Sequence, residues 1–142
     1  MKRAENVVRT TRRVGAGVLQ AAALTLLVPA WLAGSRIQEP APTPAEIALG
    51  ESVFNGRAGG ALCYVCHGPK AKGVAGIGPD LTDKEWLHGD GSRTFIEKIV
   101  TDGVAKPKKV AAPMPPKGGG QLTDPQIKAV AAYVFTLSHP TR

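Results

Sequence analysis

Cys63-Tyr64-Val65-Cys66-His67 constrains this chain more than any other stretch. Two thiols three positions apart, followed at once by an imidazole, match the pattern for covalent haem attachment. The spacing has a chemical reason. Each thiol adds to one vinyl group of a porphyrin, and the next residue falls beneath the iron as an axial nitrogen ligand. Cys63 and Cys66 are the only cysteines, so none is left for a disulfide framework. The same spacing also serves dithiol redox sites and half zinc sites. A thioredoxin-like site needs a flanking βαβ pattern, and no strong strand precedes Cys63. A zinc site needs a second ordered ligand pair, whereas His88 and His139 are lone and far apart.

The sixth iron position discriminates further. Met114 is the only methionine besides Met1 and the only thioether available to a folded domain. A lone methionine is usually a core filler, but this one sits in Ala112-Pro113-Met114-Pro115-Pro116, a polar loop stiffened by proline on both sides. That setting marks Met114 as a ligand. His88 competes for the role, although its place beside Trp86 on a short expected helix suits the surface. Trp86 is expected in the core, its N–H bonded to a haem carboxylate or a backbone carbonyl.

Residues 1–35 read as a targeting segment. Lys2, Arg3, Arg9, Arg12 and Arg13 precede an uncharged run from Val14 to Gly34 rich in Ala, Leu and Val. This is a basic region followed by an apolar one, the layout of an export signal. Two fates fit it: cleavage near Ala33-Gly34-Ser35, or retention of residues 14–34 as a membrane tether. The basic flank leaves the rest of the chain outside the cytoplasm, in the periplasm or on that face of the membrane. The formal charge is +7, of which residues 36–142 carry only +3. Without a dense basic run beyond Lys106, Lys108 and Lys109, nucleic-acid binding is not supported.

Residues 36–42 hold Pro40 and Pro42 among small and polar residues and read as a semi-rigid linker. Residues 43–142 then form one small domain poor in aromatics, whose thin core a buried haem would complete. Thr43 and Glu46 make a capping box with Pro44 at the first helical position. Ile47, Gly50, Val53 and Phe54 follow at helical spacing, and the mid-helix glycine implies a close approach by another helix. Thr82 and Glu85 make a second box, predicting a short helix through Trp86 and Leu87. Ser92 to Thr101 reads as a helix with Phe95, Ile96, Ile99 and Val100 on one face, stopped by Gly103. Thr123 and Gln126 open the final helix, with Ile127, Val130, Ala131 and Val134 as its apolar stripe. Two loops rich in glycine and proline separate these elements. No segment reads as a strand, so the fold class is all-α.

This order of a helix with Gly50 and Phe54, Cys63-x-x-Cys66-His67, Gly78-Pro79-x-Leu81, the Met114 loop and a last helix with Tyr133 resembles class I cytochrome c. The resemblance covers about residues 43–139. The Leu-Thr-Asp segments and the Met-Pro-Pro loop look most like bacterial single-haem domains that serve quinol-oxidising complexes, dehydrogenases and haem–copper oxidases. It implies helices and loops wrapped around one covalently attached haem c. It also implies that Gly50 and Phe54 pack near Tyr133, that the Pro79 carbonyl accepts from the His67 ring, and that Leu81 lines the haem pocket.

The expected function is one-electron transfer between redox proteins, with His67 and Met114 holding the iron and no catalytic residues. Lys70, Lys72, Lys106, Lys108, Lys109 and Lys117 fall in loops expected to flank the haem, where they would steer docking to an acidic surface. Two rival readings stay open. One is a fixed haem subunit of a larger membrane oxidoreductase; the other is a haem enzyme or gas sensor with a displaceable Met114.

Overall fold

Both terminal capping boxes form in the computed structural model, which describes residues 39–140. Helix α1 (Pro44–Phe54) opens on Thr43, whose hydroxyl accepts from the Glu46 N–H at 3.2 Å. The Glu46 carboxylate in turn accepts from the Thr43 N–H at 2.8 Å. Gly68, at φ 76°, ends the single turn α2 (Cys63–His67). Helix α3 (Arg93–Asp102) opens on Ser92, whose hydroxyl accepts from the Phe95 N–H, and stops at Gly103. Helix α4 (Asp124–Ser138) opens on Thr123, with Gln126 Oε1 accepting the Thr123 N–H at 3.0 Å. No strand occurs among the described residues; there are two isolated bridges, Val74 with Gly78 and Val104 with Met114.

Helices α1 and α4 meet backbone to backbone. A Cβ on Gly50 would lie 2.0 Å from the Ala129 carbonyl oxygen, so only glycine lets the two helices approach this far. One turn on, the Phe54 and Tyr133 rings pack tilted with centroids 5.6 Å apart. Val53, Phe54, Ile96, Val100, Val130 and Val134 form the buried core where α1, α3 and α4 join. At ~25 cal/mol per Å² of apolar surface removed from water, this three-helix corner is the main apolar support of the fold.

The helix expected from Thr82 and Glu85 does not form. Aspartates next to the box take the backbone instead: Asp80 Oδ1 accepts from the Thr82 N–H and hydroxyl at 2.7 Å each, and Asp83 Oδ1 accepts from the Glu85 N–H at 2.9 Å. Such local side-chain bonds compete directly with a helical turn. Trp86 therefore sits on irregular chain, edge-on to Phe95 with centroids 6.3 Å apart. Conversely, α2 went unread in the sequence because five residues are too few to show a period.

Part of the segment read as linker is seated on α3. Arg93 Nη1 donates to the Pro40 carbonyl at 3.2 Å, Arg93 Nε lies 3.3 Å from the Glu39 carboxylate, and the Thr94 hydroxyl bonds to that carboxylate. Residues 1–35, read above as a targeting segment, and residues 36–38 lie outside the described residues. Among the described residues no helix is long and apolar enough to cross a membrane.

Candidate functional site

The turn α2 places Cys63, Cys66 and His67 on one wall of a cavity of ≈ 330 Å³. The loop after it folds back tightly. Gly73 N–H donates to the His67 carbonyl at 2.8 Å, and Leu81 N–H donates to the Ala71 carbonyl at 2.8 Å. A Cβ on Gly78 would lie 2.4 Å from the Cys66 carbonyl oxygen, so the next residue, Pro79, is carried directly beneath the histidine. His67 Nδ1 donates to the Pro79 carbonyl at 3.0 Å. That bond fixes the tautomer and leaves Nε2 with its lone pair. Burial pushes the His67 pKa down, against the smaller opposing pull of the Pro79 bond, so the imidazole is held neutral. The Cys63 thiol is pushed up to about 11, chiefly by burial.

Met114 reaches the same cavity from the loop after α3. Its backbone is gripped on both sides by Val104, whose N–H donates to the Met114 carbonyl at 2.8 Å and whose carbonyl accepts the Met114 N–H at 3.0 Å. Gly103, at φ 71°, backs the same carbonyl: a Cβ there would lie 2.4 Å from it. A two-residue bridge in irregular chain therefore sets the thioether's position.

Leu81, Phe95, Ile96, Ile99 and Val130 complete an apolar wall. Leu62, Val65 and Ile77 line the mouth and stay exposed, by 54%, 51% and 42%. The structure thus brings Cys63, Cys66, His67, Pro79, Leu81 and Met114 to one cavity. It adds His88, which the sequence suited to the surface and which is half-buried in the cavity wall. The six loop lysines divide. Lys72 bonds Thr82 and lies 3.8 Å from Asp80, Lys109 pairs with Glu85 at 2.5 Å, and Lys117 donates to the Leu122 carbonyl at 3.1 Å. Lys70, Lys106 and Lys108 take no part in the ion pairs of the described residues.

Two thiols, a neutral imidazole with one free nitrogen and a thioether, set in a largely hydrocarbon wall, fit a haem. They do not fit a bare ion. Among the described residues no group of three or more His, Cys, Asp or Glu is placed to hold one.

The family described as cytochrome c oxidase, cbb3-type, subunit III matches residues 45–134. A cbb3-type cytochrome c oxidase subunit FixP from Bradyrhizobium sp. is 43% identical over 76 residues, which is 53% of this chain and 23% of that protein. A cbb3-type cytochrome c oxidase subunit CcoP from Rubrivivax gelatinosus is 37% identical over 84 residues, 58% of this chain and 25% of that one. The matched stretch is thus about a quarter of these relatives' length. Among solved structures, the reducing HAO-like protein complex of Kuenenia stuttgartiensis contains a chain of similar fold. Its TM-score is 0.50 at 21% identity, over 68% of this chain and 45% of that one. With its helices, its Cys-x-x-Cys-His turn and the family match across most of the described residues, the chain belongs to the cbb3-type cytochrome c oxidase subunit III family, a class I cytochrome c domain.

Proposed function

We propose that the chain is a one-electron carrier holding a single haem c, joined covalently through Cys63 and Cys66, with His67 and Met114 as axial ligands. The observation that supports this reading is the convergence of those four side chains on one apolar cavity, with the His67 ring anchored by Pro79. When bound, the haem would supply an iron able to take up and release one electron, held by His67 and Met114. The residues around it do the rest. Pro79 orients the imidazole, and the Val104 bridge keeps the thioether in place. Leu81, Phe95 and Ile96 exclude water, so little reorganises when charge changes. With Met114 on the iron no position would stay open for oxygen chemistry, which favours the carrier over the haem-enzyme reading.

The partners are redox proteins, and the docking face is the cavity mouth. Exposed Leu62, Val65 and Ile77 supply an apolar centre. Lys70, Lys106 and Lys108 supply positive charge free to meet an acidic rim. Residues 1–35 deliver the domain outside the cytoplasm, by cleavage or as a tether. The reading as a fixed subunit of a membrane oxidoreductase draws support from the cbb3 relatives and from the seating of Glu39 and Pro40 on Arg93.

The test is an absorption spectrum of protein made with a haem-attachment system. A c-type ferrous spectrum, with the weak ferric band of methionine-to-iron ligation and no response to carbon monoxide, is the expected result. Loss of that band, or a shift with carbon monoxide, would sink the carrier reading. Mature-protein mass and membrane fractionation separate a free shuttle from a tethered subunit.

A further inference from the structure

The cavity wall is hydrocarbon except along one stretch of chain. Asp80, Asp83, Glu85 and His88 all reach it from the irregular segment between the His67 loop and α3. Two of these carboxylates already face cations: Asp80 lies 3.8 Å from Lys72 Nζ, and Glu85 meets Lys109 at 2.5 Å. The hydrogen bonds of this stretch run through Asp80, Thr82, Asp83 and Glu85, and none of them uses the His88 ring. A half-buried imidazole without an acceptor is poised to donate to whatever fills the cavity.

A haem carries two carboxylates, and burying either against hydrocarbon is strongly unfavourable. Each must face either water or the polar stretch, where His88 stands as a donor beside three acids. On the reading that this cavity holds haem, we infer that His88 donates a hydrogen bond to a haem carboxylate. It is a positioning residue and not an iron ligand. The segment has no slack to carry it to the metal. Trp86 packs edge-on to Phe95, and a Cβ on Gly89 would lie 2.2 Å from that same ring, so the chain is pressed onto α3 on both sides of His88. The Asp90 carboxylate, accepting from the Ser92 N–H at 3.0 Å, fixes the far end.

A donor on a haem carboxylate offsets negative charge close to the iron and so favours the reduced state. The other charged groups lining the cavity on this side are Asp80, Asp83 and Glu85, and the face that α3 turns to it is apolar: Phe95, Ile96, Ile99 and Val100. Removing the donor should therefore lower the midpoint potential.

The experiment uses the haem-loaded full chain and its His88→Leu and His88→Gln variants. Midpoint potential is measured together with the ferric methionine band and Soret circular dichroism. His88→Leu should lower the potential, and His88→Gln should keep it near the parent's. His88→Gln, which keeps an N–H donor, should retain the parent Soret dichroism, and His88→Leu should not. The methionine band should survive in both. A His88→Leu midpoint potential equal to the parent's overturns the inference. So does a Met114→Ala spectrum with two nitrogen ligands that vanishes in Met114→Ala/His88→Leu. Failure of the unsubstituted chain to take up covalent haem would instead remove the site reading itself, a result visible before any variant is made.

Discussion

Replacing Gly50 with alanine puts a methyl group where two backbones already touch. The new Cβ would fall 2.0 Å from the Ala129 carbonyl oxygen, 2.6 Å from its carbon and 2.7 Å from Tyr133 Cβ. Ordinary contact begins at 3.4 Å, so α1 and α4 must part by roughly 1.4 Å, because close-packed backbone has no rotamer to yield. A radial gap of roughly 0.5–1 Å already forfeits about a quarter to a half of the dispersion attraction across an interface. Overpacking costs about 1–3 kcal/mol, and a clash with backbone puts this site at the upper end. Alanine's better helix propensity returns ~1 kcal/mol. The net loss is ~2 kcal/mol, or about 8–16 °C in Tm for a domain of this size. Thermal unfolding of the haem-loaded protein, followed by far-ultraviolet circular dichroism, measures it. Ala48→Gly, at an exposed position of the same helix, is the reference and should lose only the propensity difference, ~1 kcal/mol. A Gly50→Ala protein as stable as its parent, or more so, would refute the close approach of α1 and α4.

Three further outcomes are expected. Gly78→Ala, whose Cβ would lie 2.4 Å from the Cys66 carbonyl oxygen, should displace the Pro79 carbonyl from His67 and lower the yield of covalently attached haem; an unchanged yield contradicts this. Lys109→Ala should cost less than ~1 kcal/mol, since both partners of its bond to Glu85 are more than half exposed. A double-mutant cycle with Glu85→Ala should shrink toward zero in high salt, and a salt-insensitive coupling would argue for a buried bridge. Hydrogen bonds hold the carboxyls of Asp80, Asp90 and Glu46 below their ordinary values, the first two through Thr82 and Ser92 and the last through Thr43. Folded values below unfolded ones mean the stabilisation is complete above the ordinary carboxylate range and is lost as pH falls below about 4. Tm should hold from neutral pH to about 5 and drop beneath that, whereas a flat profile down to pH 3 would show these bonds contribute nothing.

Features set by near neighbours were legible in the sequence. Thr43 with Glu46 and Thr123 with Gln126 open helices because each box satisfies its own backbone donors within four residues. The Thr82–Glu85 pair has the same pattern and fails, because Asp80 and Asp83 offer those donors closer partners. Pattern reading registered the box without its competitors. The all-α class followed from helical spacing and from glycine- and proline-rich loops unfit for sheet. The Cys-x-x-Cys-His turn was legible as chemistry and invisible as a helix, because its stop comes from Gly68 and its backing from a loop folded over it. His88 shows the other limit. Whether a polar side chain on irregular chain faces water or a cavity depends on Trp86 and Gly89 meeting Phe95, contacts that no local pattern encodes.

The pairing of α1 with α4 also sets an order of assembly. The two helices lie at opposite ends of the domain and Cys63, Cys66, His67 and Met114 all lie between them in sequence, so their contact closes a long loop. Loop closure is an entropic barrier met before the contacts it permits. A chain emerging N-terminus first presents both cysteines well before the helix that locks the domain is available. The thiols are therefore open to reaction on an extended chain, before burial raises the Cys63 pKa and the core tightens around them. On the proposed haem reading, attachment would come first on this route, and the attached group would then serve as the surface on which the remaining chain condenses.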